Sequence, residues 1–522
     1  MPDSAPIQVL YRDLMLSAYR KYATKPALAA DGQTWTYGDI TTQANKVANL
    51  LIAQGIKPGD RVALMMSNCA EYIVAEQGIL RAGGALVALN DMLSDDERRY
   101  ILRDSNSKVA FATRSQINPA LEVLAEDSDL ARVIFVEDDQ PTPGQAQTWS
   151  SILASTDDAL PDVQVEASTI ARIAYTGGTT GQPKGAIHTQ YTTGICLMAH
   201  IPAMSLADDE VLLVTSPLPH AAGFLLNAAM LNGNFGYIER GFDLDVVLNR
   251  IEHDGASFLF MVPTMIYRLL DRIATEKRDL SALRTILYGA APITVDRLSQ
   301  GMQLLGPVFL QLYGQTECPN WITRLSKVDH STDPQKAHLL RSCGRSTALV
   351  EVRIVDDGDN EVPLGEPGEI VVRSPYQMVG YHNRDEATAK TLRGGWLHTG
   401  DMGTMDADSY VYLVDRKNDM IISGGMNVYS TAVENAISAQ DGVAQVAVVG
   451  VEHPDWGEAV VAYVVPTPGV TIDEKAIIDG TRAKLAKYEL PKAVVQTNEL
   501  PVTSVGKIDK KKLRAAWPGW NK

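Results

Sequence analysis

Short apolar runs alternate with helix-period stretches along most of this chain. Asp60 to Met66 predicts a strand, Glu71 to Ala82 carries apolar residues at helical spacing, and Gly84 to Leu89 predicts a second strand, together a βαβ-like unit. Val211 to Ser216, Phe258 to Val262 and Thr285 to Tyr288 repeat the strand theme. Ile170 to Tyr175 and Ala186 to Thr189 predict two more strands, joined by a loop rich in glycine and threonine. Past Val350 the texture changes to strands separated by turns such as Asp357-Gly358-Asp359-Asn360, which predicts a more antiparallel region. A polar boundary falls near Asp415 to Asp419. Beyond it come a helix (Ser430 to Gln440), strands (Val443 to Val451, Ala459 to Val465) and a helix from Asp473 to Lys487, enough for a small domain of about a hundred residues. The pattern implies an α/β protein: a large, multi-subdomain N-terminal domain over residues 1–415 with mixed sheets packed by helices, and a small α+β C-terminal domain over 416–522.

Composition narrows the classes. The 522 residues, 45% of them hydrophobic, support a large core. Sixty-three acids against 47 bases give a net charge of −16, which argues against nucleic acid or an anionic membrane as main partner. Cys69, Cys196, Cys318 and Cys343 are widely spaced and match no metal or disulfide framework, so a reducing cytoplasm fits best. The first twenty residues are too polar for a secretory signal, and no apolar run is long enough to cross a bilayer.

The candidate chemistry begins at Tyr175-Thr176-Gly177-Gly178-Thr179-Thr180-Gly181-Gln182-Pro183-Lys184-Gly185. Glycines let the main chain approach an anion and point successive N–H groups at it, while the threonine hydroxyls and Lys184 supply further donors, a grip suited to a polyphosphate. A Walker A loop is excluded, because Lys184 is followed by Gly185 and Ala186. A plain Gly/Thr surface turn is the alternative that composition alone leaves open. The segment resembles the phosphate-binding signature of the adenylate-forming enzymes, the superfamily of acyl-CoA synthetases, peptide-synthetase adenylation domains and luciferases. Gly177 stands where serine is frequent.

Further segments resemble that family's motifs in the expected order. Tyr313-Gly314-Gln315-Thr316-Glu317 is similar to its second nucleotide motif, which implies that Thr316 contacts the α-phosphate and Glu317 holds Mg²⁺. Trp396 to Asp401 resembles the motif whose aspartate, here Asp401, accepts both ribose hydroxyls, and Asp415 to Asp419 resembles the hinge, with Arg416 also at ribose and Asn418 as pivot of a mobile C-terminal domain. Gly424 and Gly425 match the loop that lines the thiol tunnel; Ser430 and Ala432 depart from the family's common proline and glutamate nearby, while Glu434 is retained. Pro501 to Ile508 resembles the last motif, which makes Lys507 the catalytic lysine, donating to carboxylate and α-phosphate together. Lys510, Lys511, Lys512 and Arg514 read as a solvated helix face, with a minority reading that gives some of them to phosphates of coenzyme A.

By the same resemblance, Gly289, Ala290 and Ala291 pack against adenine, with a plain packing turn as the alternative at Ala290 and Ala291, and residues 217–224, 261–265, 289–292 and 312–314 line an acyl pocket that is mostly small or apolar. His220 matches the gate residue; a satisfied core histidine is its alternative. Ala221 follows where amino-acid-activating relatives place an aspartate, which disfavours a substrate ammonium. The resemblance implies ATP-dependent activation of a hydrophobic carboxylic acid to acyl-AMP, then transfer to coenzyme A. The alternatives are transfer to an amine or to a carrier protein and, in a different class, a non-catalytic nucleotide-binding relic. Monomer and homodimer both stay open.

Overall fold

A computed structural model describes residues 8–126, 128–137, 144, 146–176, 182–291, 293–417, 419–502 and 508–520. The chain divides into two compact units. The larger runs to Thr176 and takes in Pro183–Glu351 and Arg373–Leu397; the smaller takes in Val352–Val372 and the chain from His398 onward.

Two large sheets organise the first unit. Among the described residues one has nine strands, in the order Arg345–Ser346, Cys318–Leu325, Phe309–Gln315, Thr285–Tyr288, Phe258–Met261, Val211–Val214, Phe235–Ile238, Pro26–Ala30 and Gln33–Thr36. From Phe309–Gln315 to Pro26–Ala30 neighbours pair in parallel, and antiparallel strands close both ends. The second sheet has eight strands: Gly380–Tyr381, Lys184–Thr189, Ile170–Thr176, Ala85–Ala88, Arg61–Met65, Val109–Ala112, Arg132–Phe135 and Gln147–Thr148. The expected βαβ unit is there, with Arg61–Met65 and Ala85–Ala88 paired in parallel around the helix Ala70–Arg81. Parallel strands covered on both faces read as continuous apolar runs, which is why these strands were legible.

The helix Ala70–Arg81 buries residues all round, including Glu76, Gln77 and Arg81. Its charges are compensated locally. Asn227 donates to Glu76 Oε2 at 3.1 Å, Arg172 lies 3.9 Å from Glu76, and Arg81 donates to the Thr41 carbonyl at 2.8 Å.

Two further sheets are rich in antiparallel pairs. Glu351–Val355, Gly368–Arg373, Trp396–Met405 and Leu392–Arg393 form one, with Val411–Arg416 paired to Trp396–Met405. The other is built on the long hairpin Val443–His453 and Gly457–Pro466. Alternation along these strands sends Val448, Val460, Ala462 and Val464 to one face under Val433, Ile437 and Ile477. Ala447, Val449, Val461 and Tyr463 go to the opposite face, which Leu513, Trp517 and Trp520 cover.

Two expectations are corrected here. The helix predicted to reach Lys487 spans only Glu474–Thr481. Gly480 weakens its last turn, and the Thr481 hydroxyl bonds back to the Ile478 carbonyl at 2.7 Å. Nor do the basic residues after Asp509 all face solvent. Lys510 donates to Glu434 Oε1 at 2.8 Å and to Ser430 Oγ at 2.6 Å, and Arg514 pairs with Asp419 at 2.9 Å. Among the described residues no helix is long and apolar enough to cross a membrane, and the four cysteines are buried and joined by no disulfide.

Candidate active site

The strands of the nine-stranded sheet that run parallel end on one edge, and the chain leaves them there into the segments singled out by sequence. Val211–Val214 leads to His220, Thr285–Tyr288 to Gly289-Ala290-Ala291, and Phe309–Gln315, which holds Tyr313, Gly314 and Gln315, to Thr316-Glu317. Open α/β sheets bind ligands at this carboxyl edge. Thr316 and Glu317 form a two-residue hairpin turn, since Gln315 pairs with Cys318. Gly314 permits the close approach that follows: a Cβ there would lie 2.6 Å from the Asn320 carbonyl carbon. Ala290 holds φ +66°, a left-handed conformation unusual for alanine and the kind of strain that clusters at ligand sites.

The eight-stranded sheet meets the same segments through four side chains that the motifs did not single out. His188, on the strand Lys184–Thr189, donates Nε2–H to the Thr316 carbonyl at 2.9 Å. Burial lowers its pKa to about 4, so the ring is neutral at physiological pH. Tyr381 donates its hydroxyl to Glu317 Oε1 at 2.6 Å. Asn68 donates to the Ser216 carbonyl at 3.0 Å and accepts the Leu218 N–H at 2.9 Å, fixing the approach to His220. Asn90 reaches His220 itself. Its Oδ1 accepts the Met92 N–H at 3.0 Å, which turns its amide nitrogen toward His220 Nε2, 2.6 Å away. This pattern assigns Nε2 as acceptor and the ring proton to Nδ1. His220 is half-buried and departs from helical φ/ψ inside the wide turn Leu218–Ala222, which sets it apart from a core histidine. The signal for His188, Asn68 and Asn90 was available only as polar residues within or just after apolar runs.

Thr176 ends its strand half-buried, and Lys184 opens the partner strand, exposed, with Nζ 5.2 Å from the centroid of the Tyr381 ring. Gly177, Gly178, Thr179 and Thr180 lie outside the described residues, as do Pro292, Asn418 and Lys507.

In the smaller unit Asp401 and Arg416 are cross-strand partners, with Arg416 Nε 3.4 Å from Asp401 Oδ1. Two residues expected at one ribose therefore stand side by side. Buried Glu369 supports them, accepting the Gly400 N–H at 3.1 Å and Lys417 Nζ at 3.2 Å. Asp415 caps the helix Ser430–Ser438: it accepts the Ser430 N–H, the Ser430 hydroxyl at 3.1 Å and the Thr431 N–H at 3.4 Å. Proline at 430 would lack both the N–H and the hydroxyl, so the departure at Ser430 has a local use. Gly424 and Gly425 form the two-residue turn of a hairpin with φ +60° and +78°, a turn that needs left-handed residues at both positions.

Glu317 offers one carboxylate whose Oε1 accepts from Tyr381, and among the described residues no three His, Cys, Asp or Glu side chains converge. That donor set fits Mg²⁺, which takes most of its ligands from phosphate and water, better than an ion held by protein alone.

The family model of the AMP-binding enzymes matches residues 16–382, and that of the AMP-binding enzyme C-terminal domain matches residues 432–507. The chain is 36% identical over 490 residues to a feruloyl-CoA synthase of an Amycolatopsis species, covering 94% of this chain and 95% of that one. Among solved structures, ATP-bound MatB from Rhodopseudomonas palustris superposes with a TM-score of 0.88 at 29% identity, covering 97% of this chain and 98% of that one. The amide bond synthetase McbA from Marinactinospora thermotolerans gives a TM-score of 0.87 at 30% identity, covering 97% and 99%. The chain belongs to the AMP-binding enzyme family, in the acyl-CoA synthetase branch of the adenylate-forming superfamily.

Proposed function

We propose that this protein is an AMP-forming acid–thiol ligase: it joins a hydrophobic carboxylic acid to ATP, releases pyrophosphate, and passes the acyl group from acyl-AMP to coenzyme A. The observation that carries the reading is the shared carboxyl edge, where His220, Gly289 to Ala291 and Thr316-Glu317 follow three parallel strands of one sheet and Tyr313 to Gln315 close the last of them. Likeness over most of the chain to a feruloyl-CoA synthase supports coenzyme A as acceptor.

In the first half-reaction a carboxylate oxygen attacks the α-phosphorus and pyrophosphate leaves. Two anions must approach, so the protein's task is positioning and charge neutralisation. The backbone N–H groups and hydroxyls of Thr176, Gly177, Gly178, Thr179 and Thr180, with Lys184, hold the triphosphate; Thr316 donates to the α-phosphate; Lys507 bridges carboxylate and α-phosphate. Asp401 and Arg416 take the ribose, and Gly289, Ala290, Ala291 and Tyr313 to Gln315 the base. Mg²⁺ on Glu317 would neutralise phosphate charge. His220, neutral and carrying its proton on Nδ1, borders the acyl group. In the second half-reaction the thiol attacks the acyl carbon and AMP departs with the carboxylate oxygen. The functional boundary falls at Asp415–Arg416, with Asn418 as the pivot that exchanges Lys507 for Gly424-Gly425, and the setting is cytoplasmic.

McbA favours a second reading, in which an amine intercepts acyl-AMP. The test is product identification by mass, with ATP, Mg²⁺ and a panel of aliphatic, alicyclic and aryl acids, in the presence of coenzyme A or simple amines. Acyl-CoA as the acid-dependent product sustains the proposal, and an amide formed while coenzyme A is ignored replaces it with the second reading.

A further inference from the structure

Tyr381 stands between the two charged side chains that the nucleotide reading uses most. Its hydroxyl donates to Glu317 Oε1 at 2.6 Å, and its ring carries Lys184 Nζ 5.2 Å from the centroid. Among the described residues Lys184 and Glu317 form no ion pair with each other.

The placement is over-determined. Gly380–Tyr381 pairs antiparallel with Ala186 and Ile187 on the strand that Lys184 opens, and the Tyr381 N–H donates to Thr388 Oγ1 at 2.8 Å. On either side, the Met378 N–H donates to the Glu317 carbonyl at 2.7 Å and the His382 N–H to the Gly185 carbonyl at 2.8 Å. Arg384 continues the grip, reaching Asp104 Oδ1 at 2.8 Å, while Tyr175, the residue before Thr176, donates to Asp104 Oδ2 at 2.8 Å. The segment 378–384 thus holds the Glu317 hairpin and both strands that flank the Gly/Thr loop.

A lysine and a glutamate in one site would ordinarily neutralise each other. A tyrosine between them serves both at once: its O–H satisfies and orients one carboxylate oxygen, as outer partners of metal-binding carboxylates do, and its electron-rich face holds the ammonium. We propose that Tyr381 is the positioning residue that keeps Glu317 for a cation and Lys184 for an anion, acting through its hydroxyl on the first and through its ring on the second. The inference rests on the nucleotide reading given under Proposed function.

The test is calorimetric ATP binding to the full chain without acid, with Mg²⁺ varied from none to saturating. The wild type is expected to bind ATP and to bind it more tightly with Mg²⁺. Tyr381→Phe keeps the Mg²⁺-free affinity within about twofold and needs about tenfold more Mg²⁺ for the same gain. Tyr381→Leu also weakens Mg²⁺-free binding, by about fivefold. In a Glu317→Gln background, Tyr381→Phe has no further effect on the Mg²⁺ dependence. An unchanged Mg²⁺ requirement in Tyr381→Phe, with wild-type binding intact, overturns this inference alone, and so does a Phe variant that loses Mg²⁺-free affinity as fully as Leu. A wild type that binds no ATP in either condition overturns the nucleotide reading and this inference with it.

Discussion

Lowering the pH from 7.5 to 5.0 should destabilise the large unit, through three histidines buried in neutral form. His188, His200 and His330 are each pushed by burial from the ordinary 6.5 to about 4. Each has a carbonyl partner: Thr316 at 2.9 Å, Cys196 at 2.7 Å and Ser326 at 2.7 Å. Because the folded pKa lies below the unfolded one, the unfolded chain binds protons first as the pH falls. The stability each imidazole contributes is complete above pH 6.5 and is lost progressively down to about pH 4. At pH 5.0 the loss covers about 1.5 pH units at about 1.36 kcal/mol each, or about 2 kcal/mol per histidine and about 6 kcal/mol together. Glu76 and Glu434 are raised by burial and act in the opposite direction. The histidine share is therefore isolated with His330→Gln, a change outside the proposed site. Urea unfolding followed by tryptophan fluorescence should show stability falling between pH 7.5 and 5.0, and His330→Gln should reduce that fall by about 2 kcal/mol. An unfolding free energy with the same pH dependence in wild type and His330→Gln would refute the reasoning.

Two other outcomes are expected. Lys510→Met strands the carboxylate of Glu434, and should lower the stability of the C-terminal unit by about 3 kcal/mol, while Lys510→Met with Glu434→Leu recovers most of it, as read by thermal unfolding. Lys507→Ala should slow acid-dependent pyrophosphate release by on the order of a hundredfold while leaving ATP binding in place, measured by stopped-flow and calorimetry.

Part of the strand set was legible because buried parallel strands are written as apolar runs, and Arg61–Met65, Phe258–Met261 and Thr285–Tyr288 show the pattern plainly. The motif segments were picked out by their resemblance to a known family, and the structure brings the segments at His220, Gly289 to Ala291 and Thr316-Glu317 to one edge of a sheet. What escaped the sequence was contact between distant segments. Nothing local tells that Asn90 meets His220, that His188 holds the Thr316 carbonyl, or that Tyr381 reaches Glu317 across 64 positions of chain. Lys510 and Arg514 were misread for a related reason, since a basic run on a short helix looks solvated until the half-buried acids Glu434 and Asp419 are brought beside it.

The most direct test of the central claim is the fate of a carboxylate oxygen. An accepted acid, found in the panel and labelled with ¹⁸O in its carboxylate, is turned over with ATP and coenzyme A, and the nucleotide product is weighed by mass spectrometry. Attack of the carboxylate on the α-phosphorus followed by departure of AMP predicts one ¹⁸O in AMP and none in pyrophosphate. Label in inorganic phosphate with ADP as the nucleotide product, or unlabelled AMP beside acyl-CoA, would contradict the account.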